Sequence, residues 1–389
     1  MNDNPIPYWM SFAHAKNFSN KRKMEFLIDA VHNKETIQSA MQRIKSGDKM
    51  GFEFTDKEWD GILEATSEIP NNSFLAEKLI DQGIEIVNVM EQFAYPKTLK
   101  ENLKKDAPIV IYTKGNADLL NKNSIAIVGS RKCSNRSLDF TETIAKIAVD
   151  QKSVIVSGFA KGIDKQALDS ALKYKGQSII VLPQGIETYK NKTYYAAIVK
   201  GDVLVISTYH PKVPWSVGLA MDRNKIIYGL AKEIYVAESG ESGGTWEGVL
   251  SGLKRGSKVF VRVATNDEKN ANNILINKGA IPVDMTGKII ETDISSHPTV
   301  QKPELEDIDI KKQDYSDNEL VEKVLQELIS RKGKGITVSE TIALFHLNKK
   351  ESTRLNKLLS EHPDLMKTKK GRANCYHLKN QLPQQTSMF

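Results

Sequence analysis

Cysteine is scarce in this chain of 389 residues: Cys133 and Cys375 are the whole complement. Neither stands in a metal-ligand spacing, so a disulfide scaffold or a zinc ribbon is not expected. Long apolar runs are missing too. No stretch approaches the roughly 20 apolar residues that span a bilayer, and the N-terminus carries no apolar segment of signal-peptide type. A soluble protein of a reducing cytoplasm, without a membrane as partner, is the expectation. The seven histidines, His14, His32, His210, His297, His346, His362 and His377, are scattered and build neither a metal set nor a nucleophile–base pair. No Gly-Lys-Ser/Thr occurs in a phosphate-loop setting, since Lys161 precedes Gly162, so ATP hydrolysis is not indicated. No metal and no cofactor are expected.

Positive charge is in surplus. A formal net charge of +7 and a pI near 9.0 suit a polyanionic partner such as nucleic acid, and suit a merely soluble basic surface as well. Two glycine-serine turns give that charge a place. Ser124-Ile125-Ala126-Ile127-Val128-Gly129-Ser130-Arg131 and Val154-Ile155-Val156-Ser157-Gly158-Phe159-Ala160-Lys161-Gly162-Ile163-Asp164 each read as a buried strand that stops in a turn and feeds a helix. Such a turn leaves backbone N–H groups and the positive end of the helix dipole aimed at one spot, which favours an anion. Arg131 and Lys161 add full charges beside it. Because parallel α/β sheets bind ligands at the carboxyl ends of their strands, the two turns predict one extended phosphate site.

The rest of the chain divides by pattern. Residues 1–105 read as a helical domain, with Phe26–Val31 and Phe74–Ile80 giving apolar positions at helical spacing and Ile84–Val87 a short strand. Over 106–294, short runs rich in Val and Ile alternate with helix-length segments: Ile109–Tyr112, Ile125–Val128, Val154–Val156, Ile179–Leu182, Val203–Ile206, Ile234–Val236 and Val259–Val263. Runs of this kind mark strands buried on both faces of a parallel sheet, hence an α/β fold with a doubly wound, Rossmann-like sheet. Residues 295–317 are acidic and poor in large apolar residues, which suits a linker. Over 318–380 the order is a helix from Asn318, a strand at Ile336–Val338, a helix capped by Ser339, a helix over about 350–361 and a hairpin from Leu365 to Leu378, the order of a winged helix-turn-helix. A tail, 381–389, follows.

Several motifs, taken in order, resemble the DNA-processing protein A (DprA/Smf) family: Tyr95-Pro96, Leu99, Pro108 and Tyr112-Thr113-Lys114-Gly115, then the two turn segments above, then Arg223-Asn224-Lys225-Ile226-Ile227-Tyr228-Gly229-Leu230, then Ser242-Gly243 and Lys258-Val259-Phe260. The resemblance implies an extended Rossmann-like domain that binds single-stranded DNA and delivers it to a RecA-type recombinase during natural transformation, and a homodimer formed through that domain. It also implies a sterile-alpha-motif-like N-terminal domain and a C-terminal winged helix. The chain departs from the pattern in places. Ala220 and Met221 stand where the family usually has Phe and Pro before its Arg-Asn-Arg, and Lys225 replaces the last Arg, losing the planar fork that grips phosphate in two places. An aromatic at that point could stack on a base; Trp215 is either a substitute for it or a buried core residue. Gly243-Gly244-Thr245-Trp246-Glu247-Gly248 departs from the family and resembles the Gly-Gly-x-Gly-Thr-x-x-Glu motif of lysine-decarboxylase-like (LOG) nucleotide hydrolases, with the acid one residue short, about 100° around a helix.

The expected DNA- or phosphate-binding residues are therefore Gly129, Ser130, Arg131, Ser157, Gly158, Lys161, Gly162, Arg223, Asn224, Lys225, Gly243, Gly244 and Thr245. Arg223 and Asn224 either touch the ligand or organise the rim, and Asp164 either orients Lys161 or caps its helix. Lys350, Arg354, Lys357, Lys369, Lys370 and Arg372 are the expected duplex-DNA contacts of the winged helix, which could instead dock a protein. No catalytic residue is expected, Glu247 being the one carboxylate to nominate for cleaving a nucleotide N-glycosidic bond. Two rival readings stand beside single-strand binding: a sensor of a nucleotide-derived ligand in antiviral defence, and a LOG-like hydrolase.

Overall fold

The computed structural model describes residues 4–190, 192–290, 316–330, 335–345, 352–370 and 373–379. They belong to two compact units, Met1–Asp293 and Ile294–Phe389.

The first unit opens with helices at Ile6–Ala13, Asn20–His32, Ile37–Lys45, Asp56–Ser67 and Ile69–Asp81. Their starts are written in the sequence. Ser19 and Thr36 accept backbone N–H groups two or three residues into their helices, and Thr55 forms a reciprocal capping box with Glu58, each cap contributing about 1 kcal/mol. Phe12, Phe18, Phe26 and Phe52, all buried, meet edge-on or tilted at centroid distances of 5.4–6.4 Å, the arrangement aromatic quadrupoles prefer.

A nine-stranded sheet follows, in the order β1-β2-β6-β5-β4-β3-β7-β8-β9. The strands are β1 (Ile84–Asn88), β2 (Val110–Lys114), β3 (Ser124–Gly129), β4 (Val154–Ser157), β5 (Ser178–Val181), β6 (Val203–Ser207), β7 (Glu233–Glu238), β8 (Lys258–Arg262) and β9 (Ile281–Val283). From β6 across to β9 every pairing is parallel. The sheet is nevertheless mixed, because β2 runs antiparallel to β6 and β1 antiparallel to β2. The apolar run at Ile109–Tyr112 suggested another parallel strand. It is fully buried, but burial on both faces reports the layers that cover a strand and not its direction.

The sheet also starts before residue 106. Strand β1 pairs with β2 along its whole length, and one continuous apolar core joins the N-terminal helices to the sheet, so packing shows no break at residue 105. Strand β9 has no counterpart among the expected strands because Pro282 interrupts its pattern. It lies at the sheet edge, beside β8 alone, where a residue without an N–H is tolerated. Successive crossovers carry the chain from β3 through β4 and β5 to β6, and it then returns to lay β7 on the other side of β3. The strand order therefore reverses between β3 and β7, and the carboxyl ends of those two strands diverge into a crevice.

In the second unit a helix at Asp317–Ser330 is followed by β10 (Ile336–Thr337), helices at Val338–Leu344 and Ser352–Glu361, and the hairpin of β11 (Leu365–Lys370) and β12 (Ala373–Leu378). The strands form a small antiparallel sheet, β10-β12-β11. Leu320, Val324 and Leu328 recur at helical spacing and close with Leu355, Leu359 and Tyr376 into its core. The middle helix starts two residues earlier than expected: Thr337, not Ser339, is its cap, because Glu340 lies three residues on and completes a capping box. Most of the expected linker, 295–315, and the tail, 381–389, lie outside the described residues. Among the described residues no helix is long and apolar enough to cross a membrane.

Candidate functional site

The turn after β3 keeps its shape by close packing. A Cβ on Gly129 would stand 2.6 Å from the Ile163 side chain and 3.0 Å from the carbonyl oxygen of Glu238. Its polar groups are used internally, contrary to the expectation of an open anion cradle. The Ser130 N–H donates to the Glu238 carbonyl at 2.9 Å. The Glu238 carboxylate, at the end of β7, accepts from the Ser134 N–H and hydroxyl at 2.9 Å and from the Ser137 hydroxyl at 2.7 Å. The N-terminus of the helix Asn135–Asp150 is thus already capped by Ser134 and served by an anion of the protein's own. The Arg131 side chain is exposed at this turn.

The turn after β4 behaves alike. Asp164 is buried in the first turn of the helix Ile163–Lys173; burial pushes its carboxyl up, while Arg223 and the nearby backbone N–H groups of Ala160 and Gly158 oppose the shift. Asp164 therefore neither caps its helix nor orients Lys161. It faces the preceding loop, whose Ala160 and Gly158 N–H groups favour its charged form. Buried Ser157 donates its hydroxyl to the Asp164 carbonyl at 2.9 Å. Gly162, at φ +82°, is pressed against the other turn: a Cβ there would lie 2.5 Å from the Ser130 carbonyl oxygen and 2.7 Å from that of Arg131. The two turns interlock, and Lys161 emerges exposed beside Arg131.

Arg223 lies beneath them. It is 3% exposed, donates from Nη1 to the Val181 carbonyl, and lies so close to Gly158 that a Cβ there would come within 2.4 Å of its guanidinium. Burial lowers its pKa and the Asp164 carboxylate opposes the shift. Its Nε has no partner among the described residues. Asn224 donates to the Gly244 carbonyl at 3.0 Å and so ties the helix Asn224–Leu230 to the start of the helix Gly244–Lys254. Rim organisation is the role this geometry gives Asn224. Lys225 pairs with Asp222 at 2.6 Å and lines neither of the clefts described next.

Two clefts meet over these residues. The first, about 350 Å³, fills the crevice between β3 and β7 and is lined by Gly129, Ser130, Arg131, Asn224, Gly244 and Thr245 among others. The helix Gly244–Lys254 enters it through Gly243, at φ +95°, without a side-chain cap, so here the expected open helix terminus is present. Glu247 is exposed and does not line the cleft. The second cleft, about 470 Å³, continues past the β4 turn to the loop after β5 and holds Lys161, Phe159, Tyr189, Lys190 and Trp215. Arg131, Ala160, Ala220 and Arg223 line both. Trp215 is 49% exposed and is not a core residue. Phe159, Tyr189 and Lys190 were not among the expected site residues. Phe159 stood within the second motif as a spacer, and the signal for the other two was their place just beyond the carboxyl end of β5.

In the second unit Arg354 binds Asp317 through Nη2 and, at 2.8 Å, through Nε, so this expected DNA contact is committed to an ion pair. Lys357 is exposed on the helix Ser352–Glu361. Lys369 and Lys370 lie on β11, their side chains outside the described residues, as are Lys350 and Arg372 altogether. Among the described residues no group of three or more His, Cys, Asp or Glu could hold a metal ion.

Comparison with known proteins bears on this site. A family model for DNA recombination-mediator protein A matches residues 86–293, more than half of the chain. The chain belongs to this family. The DprA/Smf match runs from within β1 to just past β9 and so contains both turns and both clefts; the N-terminal helices and the second unit lie outside it. Among similar proteins, the DNA processing protein DprA of Streptococcus pneumoniae is 35% identical over 169 residues, 43% of this chain and 58% of that protein. The DNA processing protein DprA of Bacillus subtilis is 30% identical over 184 residues, 46% and 61%. Protein Smf of Escherichia coli is 30% identical over 195 residues, 48% and 51%. The chain thus spans between about half and three fifths of the length of these relatives. The X-ray structure of the S. pneumoniae DprA superposes with a TM-score of 0.59 at 25% identity, covering 71% of this chain and 94% of that one. Ala220 and Met221, which replace the DprA/Smf Phe-Pro, both line the first cleft; the departure falls inside the site.

Proposed function

We propose that the first unit binds single-stranded DNA along the two clefts, as a step in DNA processing for recombination. One observation carries this reading: exposed Arg131 and Lys161 stand side by side where a cleft at the β3–β7 crevice joins a second, aromatic-lined cleft, on a chain of the recombination-mediator family. Phosphates lie along Arg131, Lys161 and the uncapped Gly243-Gly244-Thr245 terminus, and bases reach into the neighbouring space. Since the Ser130 N–H is already bonded to Glu238 and the exposed groups at the turns are cations, the grip comes from side-chain charge, which predicts affinity that falls steeply with salt. The bound strand is passed to a RecA-type recombinase, the protein acts as a cytoplasmic homodimer, and the second unit is a winged helix whose Lys357 and hairpin meet duplex DNA. Binding without hydrolysis is the reading for Glu247, which the clefts exclude.

Fluorescence anisotropy with oligo-dT of increasing length, a duplex control and mononucleotides tests the core of this. Affinity of the wild type should rise with length, exceed that for duplex, and drop in Arg131→Ala. Absence of oligonucleotide binding, or saturation by a mononucleotide with no gain from length, would overturn single-strand binding in favour of a small-ligand pocket.

A further inference from the structure

We propose that the amino-terminal edge of the parallel sheet, the end opposite the clefts, is a second nucleic-acid surface that holds the sugar-phosphate backbone by charge alone. The pattern that carries it is one lysine per strand. Across the six adjacent parallel strands β6, β5, β4, β3, β7 and β8, Lys200, Lys175, Lys152, Lys122, Lys232 and Lys258 stand in that order. Each is the first residue of its strand or lies at most three residues before it, and all are exposed. Neighbouring strands lie about 4.8 Å apart, so the row runs for roughly 24 Å along the sheet edge. Lys200 is paired with Asp202; among the described residues the other five form no ion pair. Lys122 and Lys232 donate to Gln177 and Asn123 at 2.9 and 2.6 Å, neutral amides that fix the ammonium groups and leave their charge uncancelled. The same turns hold two further carboxylates, Asp150 and Glu233.

Helix dipoles alone do not account for the row. A lysine in the last turn of a helix complements the dipole, and the helix Ile163–Lys173 already ends on one. Lys152 and Lys175 come later, at φ +56° and +62°, and each closes the same kind of turn. Ser153 and Gly176 donate to the carbonyls of Ala148 and Ala171 at 2.8 Å, while Lys152 and Lys175 donate to those of Val149 and Leu172 at 2.9 and 3.0 Å. This is the Schellman ending, whose left-handed position is usually glycine because a Cβ there is strained. At two neighbouring strands the chain accepts that strain and sets a cation there. The row also suits phosphate better than a protein partner. None of the exposed large apolar residues falls in the turns leading into β3, β4, β5, β7 or β8, whereas a protein interface has an apolar centre. Evenly spaced ammonium groups in a line match a linear polyanion, making contacts that position a strand without reading its bases. The six residues of β3 put about 20 Å between this row and the clefts, so the two surfaces are separate.

Anisotropy titrations of long oligo-dT and of poly-glutamate across a salt series test this on the full chain. They compare wild type, the row variant Lys122→Gln/Lys152→Gly/Lys175→Gly, and the control Lys21→Gln/Lys45→Gln/Lys57→Gln, which loses the same charge from exposed positions on the N-terminal helices. The row variant should bind oligo-dT more weakly, with a slope of log K against log salt shallower by about 2, three phosphate contacts at roughly 0.7 each; the control should match wild type. Its Tm should stay at or above that of wild type, since glycine relaxes the two left-handed turns. A slope unchanged in the row variant, or equally shallow in the control, would overturn the surface. So would poly-glutamate binding that equals oligo-dT binding and is lost with the same lysines. Adding Arg131→Ala separates the two sites: binding that ignores Arg131 and falls with the row overturns the cleft reading alone, and binding that needs Arg131 and ignores the row overturns this surface alone. A wild type that binds no oligo-dT overturns both.

Discussion

Replacing Gly162 by alanine probes whether the two turns form one interlocked unit. At φ +82° and ψ −129° the backbone is in territory that residues with a Cβ avoid, at a cost of about 1–3 kcal/mol. The new methyl would also lie 2.5 and 2.7 Å from the Ser130 and Arg131 carbonyl oxygens. Those atoms are backbone and cannot swing away, so the turns must separate, at roughly a further 1–3 kcal/mol by analogy with overpacked cores. A total of about 2–6 kcal/mol, at about 2–4 °C per kcal/mol for a large domain, predicts a Tm lower by roughly 4–24 °C. Gly47→Ala is the control for a glycine of positive φ without a close neighbour: φ is +90° and nothing lies within 4 Å, so no overpacking term applies. Thermal unfolding followed by circular dichroism gives both values. If Gly162→Ala falls no further than Gly47→Ala, the turns are not braced against each other and the account of how Arg131 and Lys161 are held together is wrong.

Glu238→Ala should strip the helix Asn135–Asp150 of its internal anion, leaving the Ser134 N–H unpaired and the Ser134 and Ser137 hydroxyls with only each other and the Ala237 carbonyl, and lowering stability by about 1–3 kcal/mol; inorganic phosphate should then raise the Tm of the variant and not that of wild type. Glu268 is held at about 2 by its hydrogen bond to Arg262, the two side chains being almost fully buried. A folded-state value below the unfolded one means that the pair stabilises fully above pH 4.5 and that the contribution drains away as pH falls through 2. Denaturant melts of wild type and Glu268→Gln should therefore differ at pH 6 and converge near pH 2; a gap independent of pH would refute the ion pair as its source. The Arg131→Ala titration described above completes the set.

Much of the sheet was legible in advance because its strands are short runs of Val and Ile that helices cover on both faces. What those runs could not convey was direction, as β2 shows, or the presence of β9, whose Pro282 erases the pattern. At the site, the cations were legible as cations. The turn motifs also brought Gly129, Gly158 and Gly162 to attention, although the reason for each glycine was a neighbour distant in sequence: Ile163, Arg223 and the Ser130 carbonyl. The internal anion was invisible for the same cause. Glu238 reaches the helix at Ser134 across a gap of 104 residues, and only the pairing of β3 with β7 brings it there. Trp215 was legible only as a stand-in for the family's aromatic or as a core residue, and its neighbours in the second cleft come from the loops after β4 and β5.

The Glu238 carboxylate has a consequence for how firmly a strand could be held. A nest of fixed backbone dipoles closes around phosphate and must be undone for the phosphate to leave. Here one such nest is permanently filled from within, and the neighbouring charges sit on the long, solvated side chains of Arg131 and Lys161, which can follow a departing phosphate and re-hydrate one at a time. A polymer gripped this way exchanges stepwise with the surrounding ions and is never locked.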